Sequence, residues 1–255
     1  MASGGGKRGD AFARIAPYYD ALMANVPYGV WADYVAKLTT LAGHPIHAGC
    51  RLLDLATGTG SVALEFVSRG CSVVGIDVSE PMLDQAEQKA ARRGLEATFL
   101  CRDLADFTLP PDFDYAVCLY DSLNYLLELS SLERAFANTR GALKREGLFI
   151  FDVNTIRALE AELFTQRSVP GAAVSYRWVS RYDPRTRISR INMQYRIPGT
   201  GERFALVHIQ RAYGDEEIRD ALYAAGFTHI AAYDGYRFEL PTPASDRVFY
   251  VASAG

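Results

Sequence analysis

The residues best placed to do chemistry form a turn between Leu52 and Phe66, where the sequence reads LLDLATGTGSVALEF. An apolar run ends there in small residues that include Gly58 and Gly60, and a helical segment follows. Glycine at these two positions allows a ligand to approach the backbone closely, and the N–H groups that begin the helix would point at that ligand. The turn therefore predicts a ligand site at the end of a strand.

Residues 58–63 of the same turn also match the dinucleotide-binding pattern G-x-G-x-x-A, and Asp77 ends the next strand. In dinucleotide sites an acidic residue at that place binds the ribose hydroxyls. Two further acids need an explanation, because Asp54 lies just before the turn and Asp103 follows a third strand. A dinucleotide leaves Asp103 without a role, whereas a nucleoside with a charged amino-acid tail explains all three carboxylates. A tight turn that binds nothing is the third alternative, since left-handed backbone also selects glycine.

Taken in order, these motifs resemble those of the class I S-adenosylmethionine-dependent methyltransferases. DLATGTG, GIDVSEPML, RDLADF and FDYAVCLYDSLNYL are similar to the first four motifs of that superfamily, with Ala56 where a first glycine is usual. The resemblance extends from about Ala11 to the end of the chain and implies S-adenosylmethionine (SAM) as the cofactor. The cofactor-binding residues that it implies are Ala56, Gly58, Gly60, Asp77, Val78, Met82, Asp103, Leu104 and Leu119, with Tyr19 and Trp31 from an N-terminal lid.

Methyl transfer from a sulfonium is an in-line displacement, so the enzyme must align the acceptor, exclude water and, where needed, take up a proton. This chemistry requires no metal. Candidates to bind or deprotonate the acceptor follow the fourth strand, in a segment that resembles amino-sugar N-methyltransferases, and lie in a later β-rich segment. The predicted catalytic residues are Tyr125, Asp121 and His208, and the predicted acceptor-binding residues are Tyr120, Asn124 and Arg211.

Alternating strands and helices must position these residues. Five short apolar runs are separated by helical segments, which indicates right-handed crossovers and a parallel sheet, and two more strands close the chain. We expect an α/β, doubly wound, seven-stranded and mostly parallel sheet with one antiparallel strand at its edge. The predicted strands cover residues 51–56, 72–77, 97–101, 113–120, 148–153, 228–236 and 247–252.

Two segments add to this sheet. The first is helical, rich in aromatic residues and broken at Pro17, Pro27 and Gly29, which predicts a lid. The second alternates with a period of two residues and predicts an inserted cap of three antiparallel strands, aromatic on one face and arginine-rich on the other. The predicted organisation is a flexible tail (1–10), an N-terminal helical lid (11–48), a Rossmann-like SAM-binding domain (49–170 and 213–255) and the cap (171–212).

Composition limits the class of protein. The chain has 255 residues, of which 49% are hydrophobic and 22% charged, and these globular values exclude a disordered or disulfide-scaffold protein. A net charge of −3 gives no general attraction for nucleic acid or anionic lipid. The four cysteines are widely spaced and predict reduced core thiols. With no apolar run long enough to span a membrane and no signal-peptide pattern, we expect a cytoplasmic protein.

The sequence thus predicts a SAM-dependent methyltransferase that acts on N or O of a small molecule. Eight arginines between residues 171 and 213 would suit an acidic acceptor or an RNA backbone, or would simply form solvated strand faces. The alternatives are an RNA or protein methyltransferase that docks through the cap, an NAD(P) oxidoreductase, and a SAM-binding module without activity. The cap would also provide a surface for a homodimer.

Overall fold

A computed structural model describes residues 10–255, so the tail predicted over residues 1–10 lies outside the described residues except for Asp10. Strands and helices are numbered along the whole chain. The central sheet contains β1 (Arg51–Leu55), β2 (Ser72–Asp77), β3 (Thr98–Cys101), β4 (Phe113–Cys118), β5 (Leu143–Asn154), β10 (Phe227–Asp234) and β11 (Arg247–Ala254). The helices are α1 (Asp10–Ala13), α2 (Ala16–Leu22), α3 (Tyr28–Leu41), α4 (Ser61–Ser68), α5 (Glu80–Arg93), α6 (Leu129–Ala142), α7 (Ile156–Glu160) and α8 (Asp215–Ala224), with a 3-10 turn at Ser122–Tyr125.

The seven strands lie in the order β10-β11-β5-β4-β1-β2-β3, and all but β11 run in one direction. The doubly wound, mostly parallel sheet is confirmed, but the placement of the antiparallel strand at the edge is wrong. β11 lies between β5 and β10. Its sequence RVFYVASA is apolar nearly throughout, as expected of a strand covered on both faces, whereas β10 has only two fully buried residues and forms the edge.

Both faces of the sheet are covered. Residues of α3 and α4, such as Val35, Leu38 and Phe66, pack on one face, and residues of α6 and α8, such as Phe136 and Leu222, pack on the other. The strand order changes direction between β1 and β4, which is where open α/β sheets bind ligands at the carboxyl ends of their strands. This crevice is therefore the expected place for the predicted site.

Two of the cysteines lie closer together than their spacing in the sequence suggests. Cys50 and Cys71 are buried as expected, but their sulfurs lie only 2.9 Å apart because β1 and β2 begin side by side.

In the lid, Pro17 lies in the first turn of α2 and Gly29 in the first turn of α3, so neither interrupts a helix. Proline is tolerated there because the first N–H groups of a helix have no partner within the helix.

The cap is an antiparallel sheet of four strands, one more than predicted. The additional strand, β6, has two residues and pairs with Arg177 and Trp178, which is too short to leave a periodic signal in the sequence. The predicted alternation is present, since Met193 and Tyr195 are buried while Arg196 is exposed. The strands are β6 (Gln166–Arg167), β7 (Ser175–Asp183), β8 (Ile188–Arg196) and β9 (Arg203–Arg211), paired in that order.

Candidate active site

A cavity of about 780 Å³ lies at the carboxyl ends of β1 to β4, bounded by the lid above and by the inner face of the cap. This volume is within the range of small-molecule sites. Most predicted site residues line it, and Gly60, Asn124 and Arg211 do not. The predicted residues in its wall are Tyr19, Trp31, Ala56, Gly58, Asp77, Val78, Met82, Asp103, Leu104, Leu119, Tyr120, Asp121, Tyr125 and His208.

The loop after β1 has the backbone shape that its glycines suggested. Ala56 and Gly58 adopt left-handed conformations with φ of +54° and +56°. The Gly58 N–H donates a hydrogen bond of 2.9 Å to the Asp77 carboxylate, which connects the loops after β1 and β2. An added Cβ on Gly58 would meet no atom within 4 Å, so glycine is favoured there by conformation and leaves the loop open toward the cavity.

Gly60 does not line the cavity and has a role in packing. It adopts φ of +73° immediately before α4. A Cβ at this position would lie 2.9 Å from the Cβ of Ala86 and 3.0 Å from the ring of Phe99. Because real Cβ atoms do not approach so closely, glycine here allows α4 to begin against α5 and β3. Packing therefore requires glycine at this position, and the contact of Gly60 with the cofactor stays a prediction.

Three carboxylates lie along the carboxyl ends of neighbouring strands. Asp77 accepts backbone N–H groups from Gly58 and Ser79 at 2.9 Å, and burial raises its pKa. Asp54 is 3% exposed and accepts the Thr57 hydroxyl at 2.6 Å, and burial raises its pKa to about 7. Asp103 accepts a backbone N–H at 2.8 Å in the loop after β3. Carboxylates retain further lone pairs, so this row can accept ligand hydroxyl and ammonium groups.

The loop after β4 is held in a strained conformation. Tyr120 and Asp121 both have left-handed backbones, with φ of +67° and +51°. The Asp152 carboxylate at the end of β5 accepts both of their N–H groups, at 2.6 and 3.0 Å. Two consecutive residues other than glycine in this conformation cost free energy that the surrounding contacts must offset, and such strain concentrates at functional sites.

Asp121 also belongs to a buried ionic cluster. The Arg247 guanidinium from β11 pairs with Asp121 at 2.8 Å and with Asp152, and the Gln210 amide of the cap donates to the other Asp121 oxygen at 2.6 Å. Burial raises the pKa of Asp121, while Arg247 opposes that shift. Both oxygens of Asp121 are therefore engaged in positioning the loop and the cap, so we withdraw its assignment as a proton acceptor.

Tyr125 and His208 form a direct pair in the cavity wall. The Tyr125 hydroxyl lies 2.8 Å from His208 Nδ1, and the Phe12 ring of the lid packs edge-on against the imidazole at 4.5 Å. Burial raises the pKa of the Tyr125 phenol well above its ordinary value. The phenol therefore stays protonated at neutral pH, and the imidazole is the member of the pair that can gain or lose a proton.

Asn124 and Arg211 are not part of this site. The Asn124 amide is fully buried and bonds the backbone of Asn154 through both its oxygen and its nitrogen. The Arg211 guanidinium pairs with Glu217 at 3.2 Å. Side chains alternate along a strand, so Arg211 and His208, three residues apart, must lie on opposite faces of β9. The same alternation could have identified Gln210, whereas nothing in the local sequence marked Asp152 or Arg247.

The lid is attached to the cofactor loops by a polar network that we call the lid latch, formed by Asp20, Thr59, Ser61 and Lys89. The Lys89 ammonium of α5 donates to the Asp20 carboxylate of α2 at 2.7 Å and to the hydroxyls of Thr59 and Ser61 at 3.0 and 2.7 Å. Thr59 also donates to Asp20 at 2.7 Å. Above this network, Trp31 packs against Tyr120 with ring centroids 5.2 Å apart.

Comparison with known proteins agrees with this geometry. A family model described as a methyltransferase domain matches residues 52–147. Putative methyltransferases of Geobacillus sp. strain WCH70 and Bacillus subtilis strain 168 are both 31% identical to the chain, over 94% and 93% of its length and 98% and 94% of theirs. The chain belongs to the class I SAM-dependent methyltransferases.

The crystal structure of a SAM-dependent methyltransferase from Clostridium acetobutylicum superposes with a TM-score of 0.83 at 26% identity, covering 96% of this chain and 99% of that one. The sugar N-methyltransferase KedS8 from Streptoalloteichus shares the fold, with a TM-score of 0.75, 21% identity and coverage of 99% and 96%. This methyltransferase accordingly uses SAM as its cofactor, which sets aside the NAD(P) oxidoreductase and the module without activity.

The described residues fit that cofactor. The open loop at Gly58 and the carboxylates of Asp54, Asp77 and Asp103 would hold its methionyl, ribose and adenine parts in the order of the strands.

Over residues 10–255, no helix has the length and apolar character needed to cross a membrane.

Proposed function

We propose that this methyltransferase acts on a nitrogen or oxygen atom of a small molecule that binds at the cap end of the cavity. The observation that carries the proposal is continuity: one cavity extends from the cofactor loops to the inner face of the cap, where Tyr125 and His208 lie in its wall. An acceptor bound there would be enclosed by the lid and the cap and shielded from water.

The chemistry of the cap end favours an acceptor with an apolar or aromatic body. The predicted acidic acceptor has less support, because Arg211 pairs with Glu217 and Arg247 is held between two carboxylates. The polar groups here are contributed by Tyr125, Gln166, His208 and Gln210, and Arg190 of β8 also borders the cavity. The apolar residues of this part of the wall are Phe12, Ile15, Phe164, Trp178, Ile191, Met193, Tyr195 and Leu206.

SAM, when bound, supplies an electrophilic methyl group on its sulfonium. The chain's own residues position the acceptor and receive the proton that an amine or hydroxyl loses. His208 is suited to accept that proton, either directly or through the Tyr125 hydroxyl, which can donate to Nδ1 while it accepts from the acceptor. Phe12 and the cap strands keep bulk water away from this pair.

A polymeric acceptor has less support from the geometry. An RNA or protein substrate would need an open approach to the methyl group. Here α1 and α2 contact the inner face of the cap through apolar residues such as Ile15, Tyr18 and Phe204. The arginine-rich face of the cap is the opposite face of the same sheet.

The test is methyl transfer to a panel of small molecules that combine an apolar or aromatic body with an amine or hydroxyl, measured as S-adenosylhomocysteine (SAH) formation. With an acceptor identified, Tyr125→Phe and His208→Asn should lower kcat by about 10²-fold to 10⁴-fold, the usual contribution of acid–base catalysis. His229→Asn is the matched control, because His229 is exposed on β10. Transfer only to RNA or protein, or full activity of both site variants, would refute the proposal.

A further inference from the structure

The outer face of the cap carries a dense set of positive charges. Residues 166–211 contain nine arginines, no lysine and two acidic residues, a net charge of +7, so the rest of the chain carries −10 of the total of −3. We call the exposed arginines on the side of the cap sheet away from the cavity the cap outer face. They are Arg167, Arg177, Arg181, Arg196 and Arg203, together with Arg190, which is exposed on the same side of β8 but also borders the cavity.

The strand register places these arginines directly opposite one another. Arg167 pairs with Arg177 across β6 and β7, Arg181 with Arg190 across β7 and β8, and Arg196 with Arg203 across β8 and β9. Like charges directly opposite on a sheet are destabilising. Within residues 10–255, Glu162 is the carboxylate that forms an ion pair with this set, through Arg181. The paired arginines therefore repel one another, and a bound anion would reduce that repulsion.

A shallow groove lies among these arginines. A shallow depression of about 440 Å³ lies on the cap against Arg177, Arg196 and Arg203, with Gln194 between them. The three arginine pairs extend along β8 from Arg196 to Arg190, a distance of roughly 20 Å for strand geometry. Guanidinium groups in this arrangement can each bind a phosphate through two parallel hydrogen bonds.

The composition of the face identifies the kind of anion. Arginine matches phosphate geometry, and the absence of lysine from residues 166–211 distinguishes this surface from a general basic patch. The aromatic side chains of β7 to β9, such as Trp178, Tyr195 and Phe204, all belong to the inner face. Tyr176, Tyr195 and Phe204 also border the depression, but Tyr195 and Phe204 are buried and stacked on each other, and Tyr176 packs against Trp178. Single strands are held largely by stacking of bases on exposed aromatic rings, and these rings are already covered by one another. A second copy of this chain is also disfavoured, since a homodimer through this face would bring like charges together.

We propose that the cap outer face docks the phosphodiester backbone of a double-stranded nucleic acid without reading its sequence. Since this face lies on the opposite side of the cap from the cavity, the nucleic acid is a docking partner and not the methyl acceptor. The docking is independent of the acceptor proposed above.

The test is fluorescence anisotropy with a labelled 20-base-pair RNA duplex and a DNA duplex of the same sequence, between 50 and 200 mM salt. Arg177→Gln/Arg203→Gln removes two phosphate contacts, and its control Arg92→Gln/Arg145→Gln removes two exposed arginines from the sheet domain. A plot of the logarithm of affinity against the logarithm of salt concentration should be less steep by about 1.8 for the cap variant than for wild type. Between 50 and 200 mM salt, the loss of affinity in the cap variant should therefore be smaller than the loss in wild type by a factor of about 12. The control should keep the wild-type slope.

Two further measurements distinguish a loss of docking from a loss of folded structure. SAH affinity should be the same in all three proteins, and the melting temperature of the cap variant without nucleic acid should equal or exceed that of wild type, because two like-charge pairs are removed. Binding to either duplex supports the proposal, and the two arms show which backbone is preferred. A labelled single strand and vesicles of anionic phospholipid complete the set of probes. No duplex binding at 50 mM salt, equal changes in the control, or binding only to the single strand or only to the vesicles would overturn the proposal.

Discussion

Asp54 should make cofactor binding depend on pH near neutrality. Burial raises its pKa from 3.8 to about 7 in the free protein, and it lies in the cavity wall beside the loop that would hold the methionyl part of the cofactor. The ammonium of SAH would favour the ionised carboxylate, so binding must displace a proton below pH 7. With a pKa of about 7, the ionised fraction falls from about nine-tenths at pH 8 to about one-tenth at pH 6. SAH affinity should therefore fall about tenfold over this interval.

Calorimetric titration with SAH in buffers of different ionisation enthalpy measures both the affinity and the number of protons released. Wild type should release about half a proton per site at pH 7 and nearly one at pH 6. Asp54→Asn should bind more weakly and show no such dependence, whereas Asp77→Asn should bind more weakly and keep the dependence with a lower midpoint, because the charge of Asp77 helps to raise the pKa of Asp54. A flat profile in wild type, or the same profile in Asp54→Asn, would refute the reasoning.

The raised pKa of Asp54 also affects stability. A carboxyl whose pKa is higher in the folded than in the unfolded protein stabilises the fold at low pH, and this contribution is lost as the pH rises through the folded value. The shift from 3.8 to about 7 corresponds to a penalty of at most about 4 kcal/mol at pH 8. Without bound ligand, Asp54→Asn should accordingly unfold at a higher denaturant concentration than wild type at pH 8. At pH 4 the two proteins should unfold at similar denaturant concentrations.

Three further variants test the loop, the lid and the ionic cluster. Ala56→Gly should raise the free energy of unfolding by about 1 kcal/mol in denaturant titrations, because Ala56 has φ of +54°, and an unchanged value would contradict the strain. Lys89→Met breaks the lid latch at Asp20, which is partly exposed, so SAH should dissociate about fivefold faster in stopped-flow measurements, corresponding to about 1 kcal/mol. An unchanged rate would mean that the latch does not control release. Arg247→Met leaves two carboxylates buried without their cation and should lower the free energy of unfolding by about 3–5 kcal/mol, and a loss below 1 kcal/mol would contradict the cluster.

The fold could be predicted where a local pattern decides the structure. The turn at Gly58 and Gly60, the acid at Asp77 and the strands of the parallel sheet are each marked by residues close together in the sequence. The position of β11 was missed, since strand order depends on which partner a strand finds and not on its own period. The continuous apolar character of its residues did indicate an interior strand.

The cofactor end of the site was easier to predict than the acceptor end for a physical reason. Cofactor contacts come from loops that directly follow strands, so each one is adjacent to its own motif. The acceptor end depends on residues brought together from β5, β9 and β11, namely Asp152, Gln210 and Arg247, and none of these belongs to a motif. Asn124 and Arg211 looked suitable by residue type, but their polar groups bind the backbone and Glu217.

The two faces of the cap carry different constraints because every residue of β7 to β9 belongs to one face only. The inner face contains Trp178, Tyr195 and His208, which bound the cavity, so it is constrained by the acceptor. The outer face contacts neither the lid nor the cavity through Arg177 or Arg203, so folding gives no reason to accumulate arginine there at the cost of like-charge pairs. Substitution of Arg177 and Arg203 should therefore leave SAH binding and methyl transfer unchanged while it alters nucleic-acid binding. A joint loss of both would mean that the two faces are coupled through the backbone of the sheet.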